Sequence, residues 1–492
     1  MTRIAIIGAG GSGTAAALAL ADLPDVEHLE VFEEKGGIGG EAFDTPDQGH
    51  LCNTSVAGMS LRADDDFHFS RWLGGNNNSP LQEQFVPRQL YRNYLRSSLE
   101  NLRLGNSGQQ VNITNEKVSK IFIRDTGVAL VGSSQNPHEF DEVVLAPGLS
   151  ALNRPSGITD RSTSLREYNS PYDPGFQRFL QEHPGSVVGV LGTKLSAIDA
   201  ARSVLAASSR VVMVSPSGQL PAVRKENPLG SPFPIGIRRF KDWSSSPQRF
   251  CQGLSNYLAQ FGENYGKSEL LGERVEESAS SQLRSDIVAA SEGKSHWQLA
   301  VGEFVDLANE HWSELSSRKM FALKKAIYRW IVRYVSAMPL ENAILLDLAF
   351  REGSLVVHGS DHFIHRGDKK FELHGPGRKI EELDALVWAA GFKSSNWKFD
   401  GRSVLELAGD DEEVGALPVS RRLAVERSSG KPLPHIWAVG NTTRGRYPIV
   451  NAIRTSVLQA HDLKSRFLAA APRRFYCTSS ASSTSHKILR GE

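Results

Sequence analysis

The chain has few cysteines, no surplus of either charge and no long apolar run. Three cysteines among 492 residues cannot build a disulfide framework and fit a reducing compartment, which predicts a cytoplasmic protein. The 56 basic residues are balanced by 55 acidic residues, so no overall electrostatic field favours nucleic acid or an anionic membrane. The apolar runs fall short of the roughly 18 residues that a membrane span needs. No spacing of cysteine and histidine resembles a zinc site, so we expect no metal. The balanced charge and the short apolar runs predict neither a nucleic-acid partner nor a membrane partner.

The chain opens with an apolar run that ends in a glycine-rich turn. Ile4–Ile7 is too short for the core of a signal peptide and predicts a β-strand. The turn follows at Gly8–Gly13, and the Ala- and Leu-rich stretch Ala15–Leu23 predicts a helix. Glu30–Glu33 predicts a second strand. Strand, turn, helix and strand form one βαβ unit, which indicates a parallel sheet.

This unit has the features of a dinucleotide-binding motif. Gly8 permits a tight turn, Gly10 leaves room for a pyrophosphate, and Gly13 lets the helix pack closely on the strand. The N–H groups at the helix N-terminus attract phosphate, and Glu33 is placed to accept hydrogen bonds from a ribose. Because a strand and a helix flank the glycines, the motif predicts a bound adenine dinucleotide rather than a purely structural turn. The predicted cofactor contacts are Gly8, Gly10, Gly11, Ser12, Gly13 and Glu33.

Three later features favour FAD over NAD as that dinucleotide. Segment 36–40 is rich in glycine, and backbone without side chains can lie against the pyrophosphate and the ribityl chain. Leu145–Gly148 ends a predicted strand, where it can close over the nucleotide. Ile436–Asn441 is a strand ending in Gly-Asn, which is typical of the place where flavoenzymes hold ribityl and phosphate groups. The further predicted FAD contacts are Gly39, Gly40, Ala146, Gly148, Gly440 and Asn441.

A second βαβ unit follows in the middle of the chain. Ser186–Leu191 predicts a strand, Gly192–Ala197 a turn, Ile198–Ala207 a helix and Arg210–Val214 another strand. Residues 227–338, by contrast, show few strand signals and many helical stretches. The predicted fold is therefore α/β, with two Rossmann-like dinucleotide-binding domains, one for FAD and one for NAD(P), and a helical insertion.

Both domains are predicted to be discontinuous in the sequence, because strand signals resume after the helical insertion. The serine-rich C-terminus has little apolar surface to bury and predicts a disordered tail. The predicted boundaries are 1–152 and 393–471 for the FAD-binding domain, 153–226 and 341–392 for the NAD(P)-binding domain, 227–340 for the insertion and 472–492 for the tail.

Several segments after the first βαβ unit support a family resemblance. They are Asn53–Leu61, Asp66-Phe67, Trp72-Leu73 and Val86–Leu95. These segments resemble those of an FAD-dependent family that includes a urate hydroxylase and an aspartate N-monooxygenase, and more distantly the chain is similar to ornithine and lysine N-hydroxylases. The resemblance covers roughly residues 1–225 and 340–470. It implies the two-dinucleotide fold and FAD, and it adds Asn53 and Arg88 as cofactor contacts.

The second glycine turn departs from the pattern Gly-x-Gly-x-x-Ala that this family implies. Gly192 keeps the first position, but Lys194 stands where the second glycine would leave room for a nicotinamide dinucleotide. Two hypotheses stay open: the Lys194 ammonium binds a phosphate, or the side chain blocks the site.

The residues after the next strand favour NADPH over NADH as the predicted second cofactor. No acidic residue ends that strand to bind a ribose 2′-hydroxyl. Ser215 and Ser217, with Arg224 and Lys225 beyond them, would suit the 2′-phosphate of NADPH. Solvated basic residues on a loop are an equally good interpretation.

Three other groups of residues have a functional and a plainer interpretation. Cys52 lacks a Cys-x-x-Cys partner and predicts an ordinary buried thiol rather than a redox group. His358–His365 alternates around a predicted turn, which favours a solvated loop over a metal site. Arg444, Arg446 and Arg454 either bind an acidic substrate near the flavin or are surface charges.

These observations predict an FAD-dependent oxidoreductase. From the resemblance, the first hypothesis is an NAD(P)H-dependent monooxygenase that uses O₂ and oxygenates a small polar substrate, such as an amine in an N-hydroxylation. The second is a flavin-dependent reductase or dehydrogenase without oxygen transfer. The third is a non-catalytic FAD-binding protein in which Lys194 closes the second site. The sequence identifies neither the substrate nor the oligomeric state.

Overall fold

The computed structural model describes residues 2–34, 37–40, 42–45, 47, 49–74, 84–105, 110–149, 165–225, 234–260, 267–271, 277–392, 397–408 and 415–477, with side chains up to residue 469. Gly36 of the predicted FAD contact segment lies outside these residues. The strands, in chain order, are β1 (Thr2–Ile7), β2 (Val26–Phe32), β3 (Gln110–Thr114), β4 (Val118–Arg124), β5 (Gly127–Gly132), β6 (His138–Phe140), β7 (Glu142–Leu145), β8 (Glu167–Tyr168), β9 (Val187–Leu191), β10 (Arg210–Val214), β11 (Val223–Arg224), β12 (Met338–Pro339), β13 (Leu355–His358), β14 (Phe363–Arg366), β15 (Phe371–Gly375), β16 (Arg378–Leu383), β17 (Ala385–Trp388), β18 (Trp397–Phe399), β19 (Val404–Leu407), β20 (Ala424–Glu426) and β21 (Pro432–Ala438).

The helices connect these strands and fill the insertion. In chain order they are α1 (Gly11–Ala21), α2 (His68–Trp72), α3 (Arg88–Leu104), α4 (Pro174–Glu182), α5 (Leu195–Ala206), α6 (Ile237–Trp243), α7 (Pro247–Ala259), α8 (Lys267–Leu271), α9 (Ala279–Ser291), α10 (Trp297–Leu307), α11 (Ser317–Ala326), α12 (Tyr328–Trp330), α13 (Leu340–Glu352) and α14 (Ile453–Cys477). Helix α14 continues to Cys477, past the predicted start of the tail at residue 472, and residues 478–492 lie outside the described range.

The first parallel sheet has the strand order β20-β21-β7-β1-β2-β3. Its strands from β21 to β3 pair in parallel, and only the edge strand β20 pairs antiparallel. The sheet therefore unites strands from both ends of the chain. Helix α1 covers it with small side chains, and Ala15, Ala16 and Ala17 are fully buried. This close cover explains why α1 lacks a polar face.

The second parallel sheet has the strand order β13-β10-β9-β17-β8. Its central order, β10-β9-β17, repeats the order β2-β1-β7 of the first sheet. The three-stranded antiparallel sheet β14-β15-β16 packs against it through Ile364, Leu373 and Leu383. These two parallel sheets confirm the predicted α/β class with two dinucleotide-binding halves.

The helical insertion has its own aromatic core. Trp312, Trp330, Phe240, Phe250 and Tyr257 are buried together there. Serine side chains accept hydrogen bonds from the first turns of three of its helices, α7, α9 and α11, and thereby fix where each begins. The insertion is mostly helical, as predicted.

Candidate functional site

The first glycine turn is held by contacts that exclude side chains. Gly8 has φ +105°, and a Cβ there would overlap the Ala146 carbonyl oxygen. A Cβ at Gly13 would overlap the Gly8 carbonyl oxygen, because α1 begins directly over the end of β1. The turn therefore requires glycine at both positions. The first turn of α1 contains no acidic residue, so its N–H groups offer an uncompensated positive end to an anion.

Three turns meet at the carboxyl edge of the first sheet. The Ala146 N–H donates to Ile7 O at 2.9 Å, and the Asn441 side-chain amide donates to Gly148 O at 3.2 Å. Gly440 has φ +66° and packs on Ser12, whose hydroxyl a Cβ at Gly440 would overlap. The structure thus brings the Leu145–Gly148 and Gly440–Asn441 turns onto the glycine turn, although they are distant in sequence.

The glycine-rich segment after β2 also reaches this edge. Gly39 pairs with Gly10 as an isolated parallel bridge, and the Gly39 N–H donates to Ala9 O at 3.0 Å. A Cβ at Gly40 would stand 3.2 Å from the Gly10 Cα. The two glycine segments therefore run side by side, with backbone against backbone.

Glu33 lies just after β2, beside a polar cavity. One carboxylate oxygen accepts the Ala9 N–H at 2.8 Å, and the Glu33 N–H donates to Thr114 O at 3.0 Å. A cavity of about 280 Å³ opens next to Thr114. It is lined by Ile38, Glu100, Arg103, Asn112, Ile113 and Thr114. Except for Ile38, which belongs to the predicted segment 36–40, the sequence analysis missed these lining residues, because α3 and β3 carry no glycine signal.

The second glycine turn is built like the first. The Gly192 N–H donates to Val214 O at 2.9 Å, as the Gly8 N–H donates to Phe32 O at 2.8 Å. A Cβ at Gly192 would overlap the Ala389 carbonyl oxygen. Ala389 therefore corresponds to Ala146, and the turn after β17, which the sequence analysis overlooked, corresponds to the Leu145–Gly148 turn.

Lys194 is turned towards a neighbouring loop. Its ammonium donates to Gln219 O at 3.3 Å, and the Thr193 hydroxyl donates to the same carbonyl at 2.7 Å. Thr193 also lies 3.0 Å from the Ser215 hydroxyl. The pKa of Lys194 is lowered to about 8, mainly by burial and also by the nearby Arg333, while Glu269 acts in the opposite direction. In this conformation the loop after β10 lies over the turn.

The predicted contact between Arg224 and a 2′-phosphate is wrong. Arg224 lies in β11 and is 5% exposed, and its guanidinium donates to Tyr334 O and Val335 O at 3.0 and 3.1 Å. It also lies over the Trp297 ring and donates to Asn53 O at 3.4 Å. A side chain enclosed this way joins β11 to the insertion and to the segment around Asn53.

Arg88 connects the two dinucleotide-binding halves. At the start of α3, its guanidinium lies 2.7 Å from Asp199 of α5 and donates to Tyr172 Oη at 2.6 Å. Tyr172 in turn donates to Asp199 at 2.6 Å, and His50 reaches Asp199 O at 3.1 Å. Burial lowers the pKa of His50, which favours a neutral ring in this network. Sequence reasoning could not find this cluster, since its members come from separate elements.

The structure also describes the surroundings of three other candidates from the sequence analysis, which are a cysteine, an arginine and a histidine-rich segment. Cys52 is 3% exposed, and burial raises the pKa of its thiol to about 12, which fits an unreactive buried thiol. Arg454 lies 3.7 and 3.5 Å from the carboxylates of Asp66 and Asp306. The predicted loop at His358–His365 is partly wrong, because His358 ends strand β13 and the segment from Phe363 to His365 belongs to strand β14.

A comparison with protein families finds one match, which covers part of the first dinucleotide-binding half. Residues 5–150 match the FAD-NAD(P)-binding family. The matched region contains the first glycine turn, Glu33, Arg88 and the Leu145–Gly148 turn. A search of curated protein sequences finds no match.

Solved structures share the fold over almost the whole chain. An ornithine N-hydroxylase from Kutzneria sp. 744 is 14% identical, with 96% of this chain and 100% of that chain covered and a TM-score of 0.57. A cadaverine monooxygenase from Erwinia amylovora is 12% identical, with 100% and 99% covered and a TM-score of 0.56. A cyclohexanone monooxygenase from Rhodococcus sp. Phi1 is 12% identical, with 99% and 93% covered and a TM-score of 0.55. At these identities the likeness establishes the fold.

The described helices were also compared with the requirements of a bilayer. None of them combines the length and the apolar character needed to cross a membrane.

Proposed function

We propose that this chain is an FAD-dependent monooxygenase that takes electrons from NADPH and oxygenates a small, polar, amine-bearing substrate. The observation that carries the proposal is the pair of similarly built glycine turns, each closed by a turn from the neighbouring strand. Three proteins with this fold support the proposal. They are an ornithine N-hydroxylase, a cadaverine monooxygenase and a cyclohexanone monooxygenase. We also place the chain with the branch that includes a urate hydroxylase and an aspartate N-monooxygenase, on its Asn53–Leu61 segment.

The residues of the first half fit the ADP part of FAD. The α1 N-terminus offers N–H groups to the pyrophosphate, and backbone at Gly10 and Gly39 leaves space for it. The Glu33 carboxylate, directly after β2, would bind the ribose, and the cavity beside Thr114 has room for the adenine. Ser12, Ala146 and the Gly440–Asn441 turn would face the ribityl side.

The remaining predicted contacts are assigned in the same way. Gly11 and Gly13 form the start of α1, Gly40 and Gly148 border the same edge, and the Asn53 carbonyl accepts a hydrogen bond from Arg224 of β11. Arg88 would act on FAD through the Leu51 and Ala42 carbonyls to which its guanidinium donates.

The second half is assigned to NADPH. Gly192 forms the turn, the α5 N-terminus lacks acidic residues, and Ser215 takes the position that Glu33 has in the first half. A hydroxyl there leaves room for a 2′-phosphate, whereas a carboxylate would repel it. Lys194 is proposed as a phosphate contact, which requires its ammonium to leave Gln219 O.

The bound flavin would supply electron transfer and reaction with O₂, and the protein would supply position and electrostatics. The helical insertion reaches the loop after the Gly440–Asn441 turn. Lys324 donates to Pro448 O at 2.8 Å, and the Asn309 amide donates to Ile449 O at 2.7 Å. The insertion would thus shape the substrate pocket and exclude water from it.

One experiment separates the candidate functions. Heat-released cofactor is identified by chromatography, and FMN in place of FAD contradicts the proposal. NADPH and NADH are then mixed anaerobically with the protein, and we expect faster flavin bleaching with NADPH. In air, a monooxygenase consumes O₂ and forms an oxygenated product when amine substrates such as ornithine or cadaverine are present. Electron transfer to an artificial acceptor without product indicates a reductase.

A non-catalytic FAD-binding protein is the second candidate. The contacts of Lys194 and Thr193 with Gln219 O favour it, because they hold the loop over the second turn. A flavin that neither NADPH nor NADH bleaches would support this candidate over the monooxygenase.

A further inference from the structure

The outer face of the β14-β15 hairpin gathers three metal-ligating side chains. Antiparallel pairing places His365 opposite Glu372, and His374 follows two residues later on the same face of β15. One ligand atom from each residue lies within 4.8 Å of the others. The alternate residues Ile364 and Leu373 point into the core, so the hairpin register fixes which face the three side chains share.

We propose that His365, Glu372 and His374 form a surface site for a divalent first-row transition metal ion such as Zn²⁺. Two imidazoles and a carboxylate are ligands that this ion prefers. Such ligands, each about 2.0–2.2 Å from the metal, lie roughly 3–3.5 Å from one another. His374 Nε2 and Glu372 Oε2 are already 3.0 Å apart, so the metal would replace the proton between them, and the exposed His365 ring must turn inward.

The charges around the trio define one competitor for the metal. Lys379 donates to Glu372 Oε1 and to Glu382 Oε1, each at 2.7 Å. Lys379 reaches the oxygen on the far side from His374, which leaves Oε2 for the metal.

The site is separate from the proposed cofactor turns, and its effect would be structural. The metal would join β14 to β15 on the sheet that covers the second parallel sheet. A ligand that binds only the folded hairpin raises the stability of that sheet.

Calorimetric titration of ZnCl₂ into the tag-free, chelator-treated, full-length flavoprotein tests the proposal. We expect one site per chain, weakened at least ten-fold by either His365→Ala or His374→Ala and by Glu372→Gln. Lys379→Met is expected to tighten binding, because it removes the competing cation. The thermal midpoint of the wild type should rise with Zn²⁺, and that of the histidine variants should not.

His362→Ala is the matched control. The His362 ring stacks on His358 at 4.2 Å just before β14, outside the trio, so its loss should leave Zn²⁺ affinity unchanged. No heat of binding to the wild type at millimolar ZnCl₂ overturns the proposal. Affinity that survives both His365→Ala and His374→Ala, or that His362→Ala removes, also overturns it. Unchanged flavin absorbance shows that each variant keeps its fold.

Discussion

The two dinucleotide-binding halves use the same scaffold but differ where a ligand would approach. Gly8 and Gly192 both press against the carbonyl of an alanine that directly follows the adjacent strand. The first half then has Gly10 where the second has Lys194, and Glu33 where the second has Ser215. The first glycine of the turn is therefore shared, and residues that would face a ligand have changed. The shared glycine is thus needed to form the turn, whereas the changed positions would determine which ligand binds.

The third glycine position shows a difference in packing. A Cβ at Gly13 would overlap the Gly8 carbonyl, whereas the corresponding Ala197 fits with its side chain fully buried. Helix α1 therefore approaches its strand more closely than α5 does. The closer helix N-terminus would bring its N–H groups nearer to a bound pyrophosphate.

The largest expected effect follows from that packing. Gly13→Ala forces a methyl group into backbone that cannot rotate away, at a cost of about 3 kcal/mol. We expect purified protein to retain less than about a tenth of its FAD, measured as the ratio of flavin to protein absorbance. The reciprocal change Ala197→Gly should leave FAD content as it is. Full flavin occupancy in a folded Gly13→Ala protein would show that close packing is not needed for FAD.

The next largest effect is expected from breaking the ion pair between Arg88 and Asp199, which connects the two halves. Arg88 and Asp199 are 12% and 2% exposed, so Arg88→Met leaves a buried carboxylate without its guanidinium. We expect the free energy of unfolding to fall by about 3 kcal/mol in urea titrations. Arg96→Met, on the exposed side of the same helix, should change it by less than about 0.5 kcal/mol. Equal losses in both variants would argue against a specific pair between the halves.

The two halves differ in charge after the second strand, where the first half has Glu33 and the second has Ser215. Glu33→Ala removes the acceptor of the Ala9 N–H and the proposed ribose contact. Charged hydrogen bonds of about 1.5–3 kcal/mol correspond to roughly ten-fold or more weaker FAD binding. Reconstitution of the apoprotein with FAD, followed by fluorescence quenching, measures this. Glu34→Ala, whose carboxylate pairs with Lys117 at the surface, is the control expected to change nothing.

The sequence predicted what depends on local pattern and missed what depends on register. Apolar runs, glycines and helix formers located β1, α1, β9 and α5, because each signal lies within one segment. The Arg88–Asp199 pair joins residues more than a hundred positions apart, and no local pattern encodes that approach. The hairpin trio at His365 depends on which residue of β15 faces β14. Arg224 was misassigned because a basic residue after a strand was assumed to face solvent.

Substitution of Lys194 is expected to have the smallest effect of these variants. It tests directly why the second half has a lysine where the first half has Gly10. If its ammonium binds a phosphate of NADPH, Lys194→Ala loses a charge-assisted hydrogen bond, and the KM for NADPH should rise several-fold while FAD content stays the same. Lys194→Arg should preserve most of the affinity, and Lys120→Ala, at an exposed position of β4 away from both glycine turns, serves as the surface control. Steady-state NADPH oxidation at several NADPH concentrations provides the measurement.

The pH dependence tests whether the charge of Lys194 is what binds. Burial lowers its pKa to about 8, so the cationic form prevails below pH 8 and is lost as the pH rises through that value. The KM of the wild type should therefore increase between about pH 7 and pH 9, and that of Lys194→Ala should change less. The variant Lys194→Gly, which restores the second glycine, tests the opposite hypothesis, in which the lysine blocks NADPH binding. If that variant gains NADPH turnover, the lysine blocks the site. The contacts with Gln219 O would then mark a closed second half, and the non-catalytic flavoprotein would replace the monooxygenase as the better account.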